Sequence, residues 1–303
     1  MARVQGVAAS VSRFRVKFPA RFLRLVTRLL PLPGRIVRPW LRALDPWLSY
    51  PTPPVQVRVH GGHGRIEVRN FQEYIQRNLY FFGYYELRES RLVRALLRPG
   101  DTFIDAGANL GWFTLLASRA VGPTGRVVAF EPSRRIFDHL ERHVALNALA
   151  NVRLEPAALS DENGVATLSG ISEQNAGLGS ILPPAAGSPP GASAAETVKT
   201  VRLDDYLAEH DLGRIRLMKI DVEGAELKVL RGARKALEGM ACDYVLVEVN
   251  DERLREIGSS SAEVRRLLEA LNCKLYHVGL RRLTPLAPEE RIRQANLLIE
   301  WPR

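Results

Sequence analysis

From Gly100 onward, short apolar runs alternate with stretches in which apolar residues recur every three or four positions. That alternation predicts strands and amphipathic helices of an α/β sheet. The runs read as strands are Thr102–Asp105, Val127–Glu131, Val152–Pro156, Leu217–Asp221, Tyr244–Asn250, Lys274–Val278 and Asn296–Glu300. Upstream, VQVRVHGGHGRIEVRN alternates on both sides of a Gly-rich turn and predicts a hairpin. GYYELRESRLVRALLRPG predicts a helix stopped by Pro99-Gly100. The Pro-, Ala-, Gly- and Ser-rich stretch Leu182–Glu196 breaks the rhythm and reads as a loop. Near the start, Arg13, Lys17, Arg21, Arg24 and Arg28 follow helical spacing, and Phe14, Phe18, Phe22, Leu25 and Leu29 repeat it one position on. This is a helix with one basic and one apolar face, which Pro19 either interrupts or heads. The chain thus divides into a basic amphipathic arm (1–50), a lead-in hairpin and helix (51–98) and an α/β domain (99–303).

Charge refines this picture. Residues 1–50 hold ten Lys/Arg against Asp45, a net +9, while the remaining 253 residues hold 33 basic and 32 acidic residues. The chain's +10 therefore belongs to the arm, and a nucleic-acid partner for the whole protein does not follow from its basic character. A basic amphipathic segment over residues 13–30 suits peripheral contact with an anionic membrane. No run of 18 apolar residues is present, which excludes a spanning helix by this reading. Arginines interrupt any signal-peptide core. Cys242 and Cys273 make no disulfide framework and suit a reducing compartment, so the expected location is cytoplasmic, at the membrane periphery where the arm engages it.

The candidate chemistry sits at strand ends. Thr102–Asp105 runs into Asp105-Ala-Gly107-Ala-Asn109-Leu-Gly111 and then a helix. The spacing is Asp-x-Gly-x-Asn-x-Gly rather than GxGxxG. An acid at the turn repels a pyrophosphate but suits a cationic ligand such as S-adenosylmethionine, which carries a sulfonium and an ammonium. Glu131, 24 residues after Gly107, ends the next strand where a ribose would be held. Asp221 and Glu223 end a third, where two acids repel each other unless they have a task. Glu248 ends another and is a weaker acceptor-side candidate. The six histidines lack metal-ligand spacing, so no metal site is read from them.

FIDAGANLGWFTL, VVAFEPSRRIFDHLERHVALN, TVRLDDYL and LMKIDVEGAELKVLRGA occur in this order, with Gly83-Tyr84-Tyr85-Glu86 before them and Leu178-Gly179-Ser180-Ile181 and Asn296-Leu297 among and after them. Over residues 83–300 the chain resembles the FkbM family of S-adenosylmethionine-dependent methyltransferases. The resemblance implies a Rossmann-like, seven-stranded sheet with helices on both faces and its last strand antiparallel. It also implies methylation of a hydroxyl on a sugar, glycan or secondary metabolite. Asp105, Gly107, Asn109 and Gly111 would contact the methionine end of the cofactor, Glu131 the ribose, and Ala158 and Leu159 the adenine. Asp221, and secondarily Glu223, would accept the acceptor's proton or help hold a divalent cation. A nicotinamide-dependent oxidoreductase and a non-catalytic, membrane-associated binding protein of the same fold are the alternatives.

Overall fold

The computed structural model describes residues 18–29, 39–41, 43–169 and 195–301. The chain forms two compact units: residues up to His60 with Ile66–Tyr85, and Gly61–Arg65 with Glu86 onward. The second unit takes in the helix predicted before Pro99, because that helix packs on the helix after the first strand and on the large sheet.

In the first unit, a helix at Ala20–Leu29 lies against a helix at Tyr74–Phe82 that the sequence pattern does not announce. Pro19 precedes the first of these rather than kinking it. The predicted hairpin is formed by Val55–Arg58 and Arg65–Val68. The basic face of the first helix does not simply face water. Thr27 Oγ1 donates to the Phe81 carbonyl (2.7 Å), and the Arg28 guanidinium donates to the carbonyls of Leu79 (3.1 Å) and Arg58 (2.8 Å). A helix leaves its last carbonyls without partners within it, and Thr27 supplies a donor to that of Phe81, while the Leu79 carbonyl also accepts from the Gly83 amide. Arg24 lies 4.9 Å from the ring centre of buried Tyr80. The apolar residues Phe22 and Leu25 are left 66% and 54% exposed. Residues 13–17 and 30 of the expected arm helix lie outside the described residues.

The second unit begins with α1 (Leu87–Leu96). There follow β1 (Thr102–Ala106), α2 (Trp112–Val121), β2 (Arg126–Phe130), α3 (Arg134–Leu146) and β3 (Val152–Glu155). A small sheet comes next: β4 (Ala157–Leu159), β5 (Gly164–Leu168) and β6 (Glu196–Val201), in the order β4-β6-β5. The chain continues through α4 (Leu203–Glu209), β7 (Ile215–Ile220), α5 (Glu226–Gly232), α6 (Arg234–Glu238) and β8 (Cys242–Asn250). It closes with α7 (Asp251–Glu256), α8 (Ser261–Ala270), β9 (Lys274–Val278), β10 (Leu283–Pro285) and β11 (Gln294–Glu300).

All seven predicted strands pair into one sheet, in the order β10-β9-β11-β8-β7-β1-β2-β3. Strands β3, β2, β1, β7 and β8 are parallel, and β11 runs antiparallel to both β8 and β9. This is a Rossmann-like α/β fold with one strand more than expected, since the three residues of β10 fold back on β9. The central strands read as continuous apolar runs because both faces are covered: β1 is buried at every position, and β7 at every position but Arg216. The loop expected at Leu182–Glu196 lies outside the described residues except for its end, where Glu196 already opens β6. No described helix is long and apolar enough to cross a membrane.

Candidate active site

A parallel sheet directs the carboxyl ends of its strands to one edge, which is where ligands bind in such folds. Here the tips of β1, β2 and β7 are laced together by backbone bonds. The amides of Gly107 and Ala108 both donate to the Phe130 carbonyl (3.0 and 2.9 Å), and the Asp221 amide donates to the Ala106 carbonyl (3.0 Å). Gly107 has φ +82°, and a Cβ built on it would lie 1.9 Å from the Asp221 carbonyl oxygen. Asn109 is held at φ +50°, its own Oδ1 accepting from the Leu110 amide (2.7 Å). Gly111 heads α2. His143 is buried with Nδ1 2.7 Å from the Leu110 carbonyl; a carbonyl only accepts, so Nδ1 carries the proton.

Glu131 sits just beyond β2, 5% exposed. Its Oε2 accepts from the Asn109 amide (2.9 Å) and its Oε1 from the Ser133 amide (3.0 Å). Burial pushes its carboxyl up to about 7 against the pull of those two amides. A carboxylate offers about four lone-pair sites, so it can brace the turn and still accept from a ligand. Asp105, by contrast, is 1% exposed and accepts from the Thr114 hydroxyl (2.6 Å). The side chain expected to contact a ligand is closed off in this arrangement, and burial raises its carboxyl against the pull of Lys219 and Thr114.

Asp221 follows β7, and its Oδ2 meets Lys219 Nζ at 2.7 Å. Lys219 is 3% exposed and lies 4.5 Å from the ring centre of Phe113. Burial works against its charge, but Asp221, Glu86 and Asp105 together hold its proton more firmly than usual. Lys219 and Glu86 lie in stretches that carry the family resemblance, but the sequence reading gives neither a role. The signal for Lys219 was present: a lone lysine in the apolar run IRLMKI, doubly covered, needs an anion. Glu86 stands one residue before α1, and burial pushes its carboxyl up to about 8, with Lys219 opposing and Asp221 and Glu248 adding. Burial, then Asp221 and Glu248, also raise Glu223 to about 8. Glu248, the weaker acceptor-side candidate, belongs to the same cluster as Glu86 and Asp221. Glu226, in the first turn of α5, is 2% exposed and accepts from the Gly224 amide (2.9 Å), which fixes the turn carrying Glu223.

Two further predicted residues are buried in the sheet layer. Ala158 and Leu159 form part of β4, both buried, and Leu159 packs into the main core with Phe130 and Tyr206. Pairing of β4 with β6 turns an apparent strand-to-turn segment into a strand, so the Leu159 side chain serves the core rather than a ligand.

Residues 105–275 match the family model of the methyltransferase FkbM domain. Methyltransferase sdnD of Sordaria araneosa is 34% identical over 160 residues, 44% of this chain and 61% of that protein. The 31-O-demethyl-FK506 methyltransferase FkbM of Streptomyces tacrolimicus is 34% identical over 178 residues, 51% of this chain and 67% of its own length. The hexuronic acid methyltransferase AglP of Haloferax volcanii is 26% identical over 236 residues, 71% of this chain and 83% of that protein. Among solved structures, methyltransferase FkbM from Methylobacillus flagellatus KT aligns with 74% of this chain and 52% of its own at 14% identity and a TM-score of 0.42.

Proposed function

The chain belongs to the FkbM-domain methyltransferases, and on that premise we propose that it methylates a hydroxyl of a sugar, glycan or secondary metabolite with S-adenosylmethionine. The residues present suit that cofactor. Asp105 and Asp221 at the strand tips, with Glu86 beside them, set three carboxyl groups around the one ammonium of Lys219, surroundings that suit a ligand bearing a sulfonium and an ammonium better than a pyrophosphate. Gly107, Asn109 and Gly111 would hold its methionine end, and Glu131 its ribose. The cofactor supplies a methyl carbon already activated for displacement. The protein's part is to align an acceptor oxygen with it, exclude water and take up a proton. Asp221 is the first candidate for that proton and Glu223 the second. Relatives named for 31-O-demethyl-FK506 and for hexuronic acid support a hydroxyl-bearing small molecule or sugar as acceptor.

The observation that carries the reading is the lacing of the β1, β2 and β7 tips around Gly107. Calorimetry with S-adenosylhomocysteine and, separately, NAD tests it. Binding of the first alone is the expected result. Binding of NAD alone would turn the reading toward an oxidoreductase. Cofactor binding without turnover on hydroxyl acceptors would leave a binding protein.

A second element of the proposal concerns residues 13–30. The outward face of the helix Ala20–Leu29 carries Phe22 and Leu25, with Arg21 exposed beside them, and Trp40 and Trp47 are also exposed in the same unit. With +9 on residues 1–50, this composition suits an anionic bilayer surface. The full chain should co-sediment with vesicles containing phosphatidylserine and not with phosphatidylcholine alone. A Phe22→Ser, Leu25→Ser double variant should lose about tenfold or more of that binding, each buried CH₂ being worth about 0.8 kcal/mol. Equal sedimentation of both proteins would end this assignment.

A further inference from the structure

We infer that Glu86, Asp221 and Glu248 form a binding site for a hard divalent cation at the carboxyl edge of β7 and β8. Each offers one carboxylate oxygen, and the three oxygens lie within 4.8 Å of one another. They converge from three separate stretches: the residue before α1, the residue after β7 and the outer end of β8. All-oxygen ligation suits Mg²⁺, Mn²⁺ or Ca²⁺ rather than a thiolate- or imidazole-seeking metal. Calcium–oxygen bonds of about 2.3–2.6 Å let two oxygens across one ion stand about 4.6–5.2 Å apart, and Mg²⁺ would draw them in to about 4.2 Å. The carboxylates thus need little movement to share an ion, with water completing its shell.

A second, independent observation points to a ligand. Glu86 Oε2 is closed to solvent and meets no hydrogen-bond donor among the described residues. An orphaned buried acceptor of this kind is costly, more so when charged, and calls for a partner. Its neighbours are already steered. Gln294 Nε2 donates to Glu248 Oε1 (3.3 Å), Lys219 holds Asp221, and Asn296 Nδ2 donates to nearby Glu89 (3.0 Å). Burial favours protons on Glu86 and Glu248 at rest, and a cation that displaced them would meet three carboxylates against the single ammonium of Lys219, two negative charges for a divalent ion to neutralise. The site itself stands apart from the methyl-transfer reading, but its use in catalysis rests on that reading: an ion on Asp221 would polarise an acceptor hydroxyl, and the proton would then pass to Glu223, the second candidate base.

Mn²⁺ titrated into the full chain, followed by loss of the free-ion electron paramagnetic resonance signal, should show one ion bound per chain. Glu86→Gln and Glu248→Gln should each weaken that binding tenfold or more, with circular dichroism verifying that the variants fold. S-adenosylhomocysteine titrated in parallel reports on the cofactor site. If it binds while no Mn²⁺ is taken up at millimolar concentration, the cation site is overturned and the methyltransferase reading survives. If Mn²⁺ binds in wild type and is weakened in both variants, the site stands even should the cofactor fail to bind. Mn²⁺ uptake that neither substitution weakens overturns the site, because the ion then lies elsewhere.

Discussion

Replacing Gly107 with alanine should destabilise the protein by about 2–5 kcal/mol and abolish measurable cofactor binding. Two costs combine. At φ +82° an alanine pays about 1–2 kcal/mol for the left-handed conformation. Its Cβ would also stand 1.9 Å from the Asp221 carbonyl oxygen and 2.9 Å from the carbonyl carbon. That carbonyl belongs to backbone rather than to the end of a flexible side chain. The Asp221 amide is bonded to the Ala106 carbonyl, one residue before Gly107, so neither strand tip can retreat without breaking the lacing. Overpacking of this sort adds about 1–3 kcal/mol. Gly258→Ala is the control. Its φ is +79° but nothing lies within 4 Å of the added Cβ, so it bears the conformational cost without the collision. In differential scanning calorimetry the Gly107 variant should melt roughly 5–15 °C lower than wild type, and the control only a few degrees lower. Equal shifts in the two would show that the close approach of β7 to the turn does not matter to the fold.

That close approach also marks the limit of what the sequence discloses. The strands were legible because a doubly covered parallel sheet writes its central strands as apolar runs. The acids at their tips were legible because each stands at the point where such a run stops. Position alone identifies Asp105, Glu131 and Asp221, and the structure brings the ends of their three strands together. What each carboxylate touches was not legible. Asp105 turns to Thr114, nine residues on along the next helix, and this side-chain choice leaves no trace in an apolar pattern. Glu86 reaches the cluster from 135 positions before Asp221, through the placing of α1 against the sheet. The strand β4 depends on β6, which lies beyond residues 170–194 in sequence, so nothing local marks Ala158 and Leu159 as strand until the pairing is seen. The helix Tyr74–Phe82 escapes notice for a different reason. Its run of Leu79, Tyr80, Phe81 and Phe82 is buried throughout and has no polar face to set a period.

Asp221→Asn should lower turnover by about 10²–10⁴-fold, the usual worth of a positioned base, while S-adenosylhomocysteine affinity stays within about fivefold. The exchange is nearly isosteric, and the amide oxygen can still accept from Lys219 at the position now held by Oδ2, 2.7 Å away. The Asp221 amide keeps its bond to the Ala106 carbonyl, so the turn at Gly107 retains its support. What is lost is the carboxylate's ability to take a proton as the new bond to the acceptor oxygen forms. Lys219 bears on the same point. A buried ammonium stripped of its anion is costly, by about 3–5 kcal/mol for a broken buried pair, but here Glu86 and Asp105 also act on it, so the Asn variant should remain folded. Turnover and cofactor titration measured on the same preparation separate chemistry from binding. A variant that turns over at the wild-type rate would remove Asp221 from the reaction and move the base to Glu223, two residues on, where Glu223→Gln would then carry the loss. A variant that binds neither cofactor nor Mn²⁺ would instead assign Asp221 to holding the site together.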